Sequence, residues 1–204
     1  KFFDSIISQY DSEYLKTLIR YNHILKQRNA LLKSMADSGK VDTVMLETYN
    51  EPLIRDSRFI ASKRSRFVEE FVPHFQRNYD RIAEGRELVD IAYESKALMK
   101  DFELKYKEGL QKDMLTQRTN LGIHRDEYLF NIGGFPIKKY GSQGQQKSLL
   151  VSLKLAQFEF IKSHLKITPV LLLDDIFDKL DEVRVEQLVR LVHDENFGQI
   201  FITD

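Results

Sequence analysis

Pro169-Val-Leu-Leu-Leu-Asp174-Asp175-Ile-Phe177 decides how this chain is read. Four apolar residues, Val170 to Leu173, run directly into two adjacent carboxylates. A run of this kind predicts a strand buried on both faces of a parallel sheet. The C-terminal end of such a strand is where open α/β sheets place their ligands. There one acid can hold Mg²⁺ while its neighbour polarises a water, the division of labour of the Walker B pattern. The plainer alternative is an acid that merely caps the next helix.

Working outward, Val183 to His193 reads as a helix and Gln199 to Thr203 as a strand. Strand, helix, strand in that order implies a right-handed parallel crossover. Upstream, Ser142 to His164 reads as a helix with Leu149, Leu153, Ala156 and Phe160 on one face. Tyr128–Ile132 and Phe135–Ile137 flank Gly133-Gly134, the pattern of a two-residue hairpin turn. The segment Gly141-Ser-Gln-Gly-Gln-Gln-Lys-Ser148 is not a phosphate-binding P-loop, because Gln146 rather than Gly precedes Lys147. It still suits a phosphate. Ser142 offers a hydroxyl and an N-cap, Gly144 lets the backbone approach closely, and a helix N-terminus follows. The plainer reading is a capped helix with polar filler.

The first half is mostly helical. Phe2 to Met35 carries Leu18, Leu25 and Leu32 at sevenfold spacing with Tyr14 and Tyr21 beside them, an amphipathic stripe. Gly39 suits a left-handed helix end. A second helical region runs from about Val41 to Ile82, with Pro52 interrupting it or starting a new helix. Its Ile60, Phe67, Phe71, Phe75 and Tyr79 recur at fours and sevens, which reads as core before it reads as a partner groove. Glu87 to Tyr93 reads as a short strand and Lys96 to Met114 as helix. Arg55, Arg58, Lys63, Arg64 and Arg66 crowd one region and are candidates for DNA phosphate contacts, set against a solvated face balanced by Glu69 and Glu70. The expected organisation is a helical lobe over 1–118 and the C-terminal part of an ATPase-like α/β domain over 119–204.

Composition narrows the class. The 204 residues hold 31 basic and 31 acidic side chains, so a strongly basic nucleic-acid binder is not indicated. The absence of cysteine rules out disulfides and thiolate metal sites and fits a reducing compartment. No apolar run reaches membrane-spanning length. Lys1 at the start and Thr203-Asp204 at the end of an expected strand suggest a piece of a longer protein.

Ser142-Gln-Gly-Gln-Gln146, Leu171-Leu-Leu-Asp-Asp175, and Leu180-Asp181 with Arg184, in this order, resemble the RecF family of recombination and replication-repair proteins, relatives of the SMC group of ABC-type ATPases. Tyr21-Asn-His-Ile-Leu-Lys-Gln-Arg-Asn-Ala-Leu-Leu32 and Gly122-Ile-His-Arg-Asp126 resemble two further family segments, so the likeness covers nearly the whole chain. It implies an α/β fold: an ABC-type, P-loop NTPase sheet portion with a helical arm of long antiparallel helices. Ser142, Gln143, Gly144, Gln145 and Gln146 would be the signature that binds, in trans, an ATP held by a second subunit. Asp174 would act on Mg²⁺, Asp175 would orient the attacking water, and Asp181 would be the D-loop residue. Thr203 and Asp204 fall near the switch position. His124, Arg125 and Asp126 match a family hallmark of undefined role. The family departs here at Ile123, Glu127 and Asp178-Lys179. The resemblance further implies an ATP-dependent homodimer in the nucleoid-associated cytoplasm, acting at double-stranded or gapped DNA and loading RecR- and RecO-type mediators. ATP hydrolysis would need a Walker A segment supplied from outside this chain. The competing reading is a non-enzymatic helical scaffold for DNA or a protein partner.

Overall fold

The computed structural model describes residues 1–193 and 197–203. The chain divides into two compact units: Lys1–Arg66 with Tyr93–Glu127, and Phe67–Ala92 with the residues from Tyr128 on.

The first unit is helical. The expected single helix over Phe2–Met35 is two, α1 (Phe2–Tyr10) and α2 (Ser12–Ser38). Asp11 separates them: its backbone is extended and its carboxylate accepts from the Tyr14 amide at 2.8 Å, the geometry of an N-cap. The buried stripe of α2 also differs from the leucine repeat. It runs through Tyr14, Thr17, Tyr21, Arg28, Leu32 and Met35, while Leu18 and Leu25 are only half-buried. Gly39 ends α2 in the left-handed conformation (φ 67°), as expected.

Helix α3 (Thr43–Ala83) begins in this unit and continues into the second. Pro52 does not break it. Proline lacks an amide to donate to the Thr48 carbonyl one turn back, yet Leu46, Asn50, Leu53 and Ile54 around it are buried, and their packing overrides the local preference. Arg20 meets Asp56 and Arg28 meets Asn50, so partners step backward along α3 as they step forward along α2; the two helices are antiparallel. Leu32, Met35 and Leu46 form a small apolar cluster near their junction. The helix expected over Lys96–Met114 is instead a 3₁₀ turn (Lys96–Leu98) followed by α4 (Phe102–Glu108) and α5 (Leu110–Thr116), parted at Gly109.

The strands lie in the second unit except for Tyr93, Glu94 and Glu127 at their ends. Strand β1 (Val89–Glu94), β2 (Glu127–Ile132) and β3 (Phe135–Pro136) lie in that order, and β2 and β3 are antiparallel. Gly133 and Gly134 both have positive φ (55° and 82°), which their two-residue turn requires. After the short α6 (Ile137–Tyr140), α7 (Gln143–Leu165) leads to β4 (Leu171–Leu173), α8 (Glu182–His193) and β5 (Ile200–Ile202). Strands β4 and β5 pair in parallel with Leu172 opposite Phe201, as the strand–helix–strand order predicts.

Strand β4 is not buried on both faces. Leu171 and Leu173 sit in a core with Ile82, Val151, Leu155, Phe158, Leu188 and Leu191, while Leu172 is 67% exposed and Val170 53%. The aromatic positions Phe67, Phe71, Phe75 and Tyr79 are fully buried, with Phe67 and Phe71 packed on Phe160 of α7. That face is core, not a groove. Among the described residues, no helix is long and apolar enough to cross a membrane.

Candidate nucleotide site

Asp174 and Asp175 follow β4 directly and both are exposed. They are fixed by an extension of the strand pairing. The Thr203 amide donates to the Leu173 carbonyl at 3.0 Å and the Asp175 amide to the Thr203 carbonyl at 3.1 Å. Asp174 accepts from the Thr203 hydroxyl. Asp175 has φ 50°, a left-handed conformation uncommon outside glycine. Its backbone carbonyl accepts from Lys147 Nζ, whose charge also lies 3.7 Å from the Asp175 carboxylate. Asp204 lies outside the described residues.

Two adjacent carboxylates and a hydroxyl are hard oxygen donors, the set that suits Mg²⁺. Among the described residues no three His, Cys, Asp or Glu side chains gather around a metal position. Mg²⁺ commonly takes one or two protein carboxylates and completes its shell with water and phosphate oxygens.

The N-terminus of α7 is built as its sequence predicts. Ser142 caps the helix: its hydroxyl accepts from the Gln145 amide at 3.2 Å, and the Gln145 side chain accepts from the Ser142 amide at 2.7 Å. This reciprocal capping box leaves Ser142 and Gln143 exposed at a positive helix end. Gln146 reaches back to the Gly141 carbonyl at 3.0 Å. A Cβ at Gly144 would stand 3.2 Å from the Lys179 carbonyl, so glycine allows the helix start and the 175–181 loop to touch. Asp181 caps α8 by accepting from the Arg184 amide at 2.9 Å.

Three residues here carry structure that the sequence reading left without a role: Glu87, Lys147 and Arg184. The Arg184 guanidinium donates to Glu87 at 2.7 Å, to the Ser148 hydroxyl at 2.8 Å and to Asp181 at 3.2 Å. Glu87 also accepts from Gln145 at 3.0 Å and from the Tyr79 hydroxyl at 2.5 Å. Burial pushes the Glu87 carboxyl up, but the hydrogen bonds from Tyr79 and Gln145 and the Arg184 charge outweigh it and hold it below the ordinary value. Arg184 is held further above its ordinary value, desolvation being outweighed by Tyr79 and Glu87.

The remaining candidates lie in the first unit. His124 Nε2 faces the Thr119 carbonyl at 2.9 Å, an acceptor only, so Nε2 carries the proton and Nδ1 accepts from the Tyr21 hydroxyl at 2.8 Å. Desolvation holds this imidazole below its usual range, although the residue as a whole stays exposed. A Cβ at Gly122 would collide with the same Tyr21 hydroxyl. Asp126 pairs with Arg64 at 3.0 Å and accepts from Tyr93. Arg125 is exposed.

Arg64 therefore does not belong to an outward basic cluster. It is buried, contacts Asp4 at 2.9 Å, and donates to the Ile123 carbonyl at 3.0 Å. Arg55 pairs with Asp56, Lys63 with Asp11 at 2.7 Å, and Arg58 reaches the Lys100 carbonyl and lies over the Phe102 ring. Arg66 is exposed. The segment around Gln27-Arg28-Asn29 also has a structural use. Fully buried Arg28 binds Asn50 at 2.9 Å, Asp113 at 2.8 Å and Thr119 at 2.7 Å, and Asn29 accepts from Thr119.

No protein-family profile matches the chain. Individual proteins do. It is 47% identical over 204 residues to "DNA replication and repair protein RecF" of Cytophaga hutchinsonii, covering all of this chain and 54% of that protein. The match to the protein of the same description in Flavobacterium johnsoniae is 49% over 204 residues, covering 57% of it. The resemblance is to RecF, from end to end. A solved structure described as the recombination mediator protein RecF-ATPrS in RecFOR pathway superposes with a TM-score of 0.84 at 27% identity, over 98% of this chain and 56% of that one. A second, described as RecF-ATP, gives 0.83. The mixed α/β fold expected from the motifs is thus the fold of RecF over the matched part. The chain spans about half the length of its RecF relatives.

Proposed function

We propose that this chain supplies the signature and Walker B portion of a RecF-type protein of DNA repair and recombination that closes as a dimer around ATP. One observation carries the reading. The capped start of α7 and the acids after β4 stand exposed in one unit, joined by the Lys147–Asp175 contact and by the close approach of Gly144 to Lys179.

Ser142 and the amides of the first turn of α7 offer an anion site, and the helix dipole favours a phosphate there. Asp174, oriented by Thr203, would hold Mg²⁺ together with phosphate oxygens; the ion supplies neutralisation of charge that builds on those oxygens. Asp175 would orient the attacking water, and Asp181 would face the second subunit. The descriptions of the solved relatives, which name ATP and the RecFOR pathway, support ATP as ligand and RecO- and RecR-type proteins as partners. Tighter binding of ATP to the closed dimer than to the open subunits would drive closure, and hydrolysis would release it. Exposed Arg55 and Arg66 remain the candidates for gapped or duplex DNA.

The test uses the full-length protein. Sedimentation with ATP and Mg²⁺ is expected to give a dimer, and Ser142→Arg is expected to abolish it without altering the fold. Asp174→Ala is expected to remove Mg²⁺-dependent turnover. Full turnover in Asp174→Ala would overturn the metal assignment.

A further inference from the structure

Arg184 is the one side chain among the described residues that touches all three parts of the polar network beside the proposed signature. Its side chain is only 12% exposed. Nη2 meets Glu87 at 2.7 Å, Nη1 meets the Ser148 hydroxyl at 2.8 Å and the Gly144 carbonyl at 3.5 Å, and Nε meets Asp181 at 3.2 Å. The planar guanidinium fixes the directions of these donors relative to one another. Glu87 passes the connection on: the oxygen that accepts from Arg184 also accepts from Gln145, and Gln145 is the capping partner of Ser142. An unbroken line of hydrogen bonds therefore runs from Asp181 through Arg184, Glu87 and Gln145 to Ser142.

We propose that Arg184 and Glu87 are positioning residues that hold the Ser142 turn and the Asp181 turn as one rigid piece, so that both meet the nucleotide on a second subunit together. The proposal rests on the functional reading above. A purely stabilising ion pair would not need to reach both turns at once. Here one guanidinium ties the cap residue of α8 to the first turns of α7, while its carboxylate partner orients the capping glutamine. Both turns act toward the other subunit. Loss of the pair therefore weakens closure and turnover, and leaves binding of ATP to a single subunit untouched.

Arg184→Ala, Arg184→Lys and Glu87→Gln in the full-length protein separate these roles. Arg184→Ala is expected to lower kcat and ATP-dependent dimerisation by on the order of tenfold to a hundredfold, the usual result of misplacing a reactive constellation. The affinity of dilute single subunits for ATP is expected to stay within about twofold. Arg184→Lys and Glu87→Gln, which keep part of the hydrogen bonding and are the milder insults to folding, are expected to fall between. Amide exchange in Arg184→Ala is expected to quicken at 143–147 and at 180–184 together. Unchanged kcat and dimerisation, or faster exchange at one turn alone, would overturn the proposal. A wild-type protein that never dimerises with ATP would instead sink the functional reading, and amide exchange would still decide whether the two turns are coupled.

Discussion

The two units place charge in opposite ways. In the first, Arg28 and Arg64 are drawn inside and bound to Asp113, Asp4 and Asp126. In the second, Asp174, Asp175 and Asp181 stand exposed at the ends of regular elements, steadied by neighbours but left open to solvent. A buried charge must be matched by its surroundings, or desolvation makes it costly, so it tends to be structural. A carboxylate held in place yet still wet can take a ligand. The Arg-Asn and His-Arg-Asp segments, which sit among the family-like motifs, thus fall on one side: Arg28, Asn29, His124 and Asp126 brace the first unit, while the acids after β4 stand exposed.

The sharpest way to break this contrast is Arg28→Ala. It would leave Asp113 buried without its cation and is expected to destabilise the protein by about 3–5 kcal/mol in urea unfolding. Replacing both partners, as Arg28→Met with Asp113→Leu, is expected to cost far less, because the penalty lies in the orphaned charge. A single variant no worse than the double would mean the pair is not structural. Pro52→Ala has the opposite sign. It restores a donor to the Thr48 carbonyl, and after allowing for the looser unfolded chain it is expected to stabilise by about 2 kcal/mol.

Local signals were legible and long-range pairings were not. The Gly133-Gly134 turn, the left-handed end at Gly39, the Ser142 cap and the strand running into Asp174 all depend on neighbouring residues, and each could be read from a few positions. Arg28 stands on the buried stripe of α2, but arginine on a helix reads as surface until Asp113, 85 residues away, is known to meet it. Arg64 misled for the same reason, being grouped with its sequence neighbours when its partners are Asp4 and Asp126. Glu87 and Arg184 are 97 residues apart, so their pairing left no local pattern. Strand β4 is exposed on one face; an apolar run specifies a strand but not which of its faces this chain covers.

At the exposed start of α7 the effect on stability is smaller. Ser142→Ala removes one half of the capping box and is expected to cost about 1 kcal/mol by thermal or urea unfolding. Ser142→Asp, which keeps an acceptor at a positive helix end, is expected to restore most of it. Equal losses in both variants would show that the hydroxyl does more in the folded protein than cap α7.

The smallest effect is a pH dependence, and its sign differs between Glu87 and Asp126. Glu87 is held below its ordinary 4.5, so its contribution to stability is complete above that value and is lost as the pH falls through the lower folded one. Asp126 behaves oppositely: burial raises its carboxyl above the ordinary 3.8, so folding favours its protonated form as acid is added. Urea unfolding of the wild type and Glu87→Gln is therefore expected to show a constant stability gap at and above about pH 6, closing below 4.5 as the wild-type carboxyl takes up its proton. Partial exposure keeps that gap modest, since solvent screens the Arg184 charge. A gap that persisted undiminished into strong acid would mean that Glu87 acts through shape and hydrogen bonding rather than charge, and Arg184 would then need only a neutral acceptor at that position.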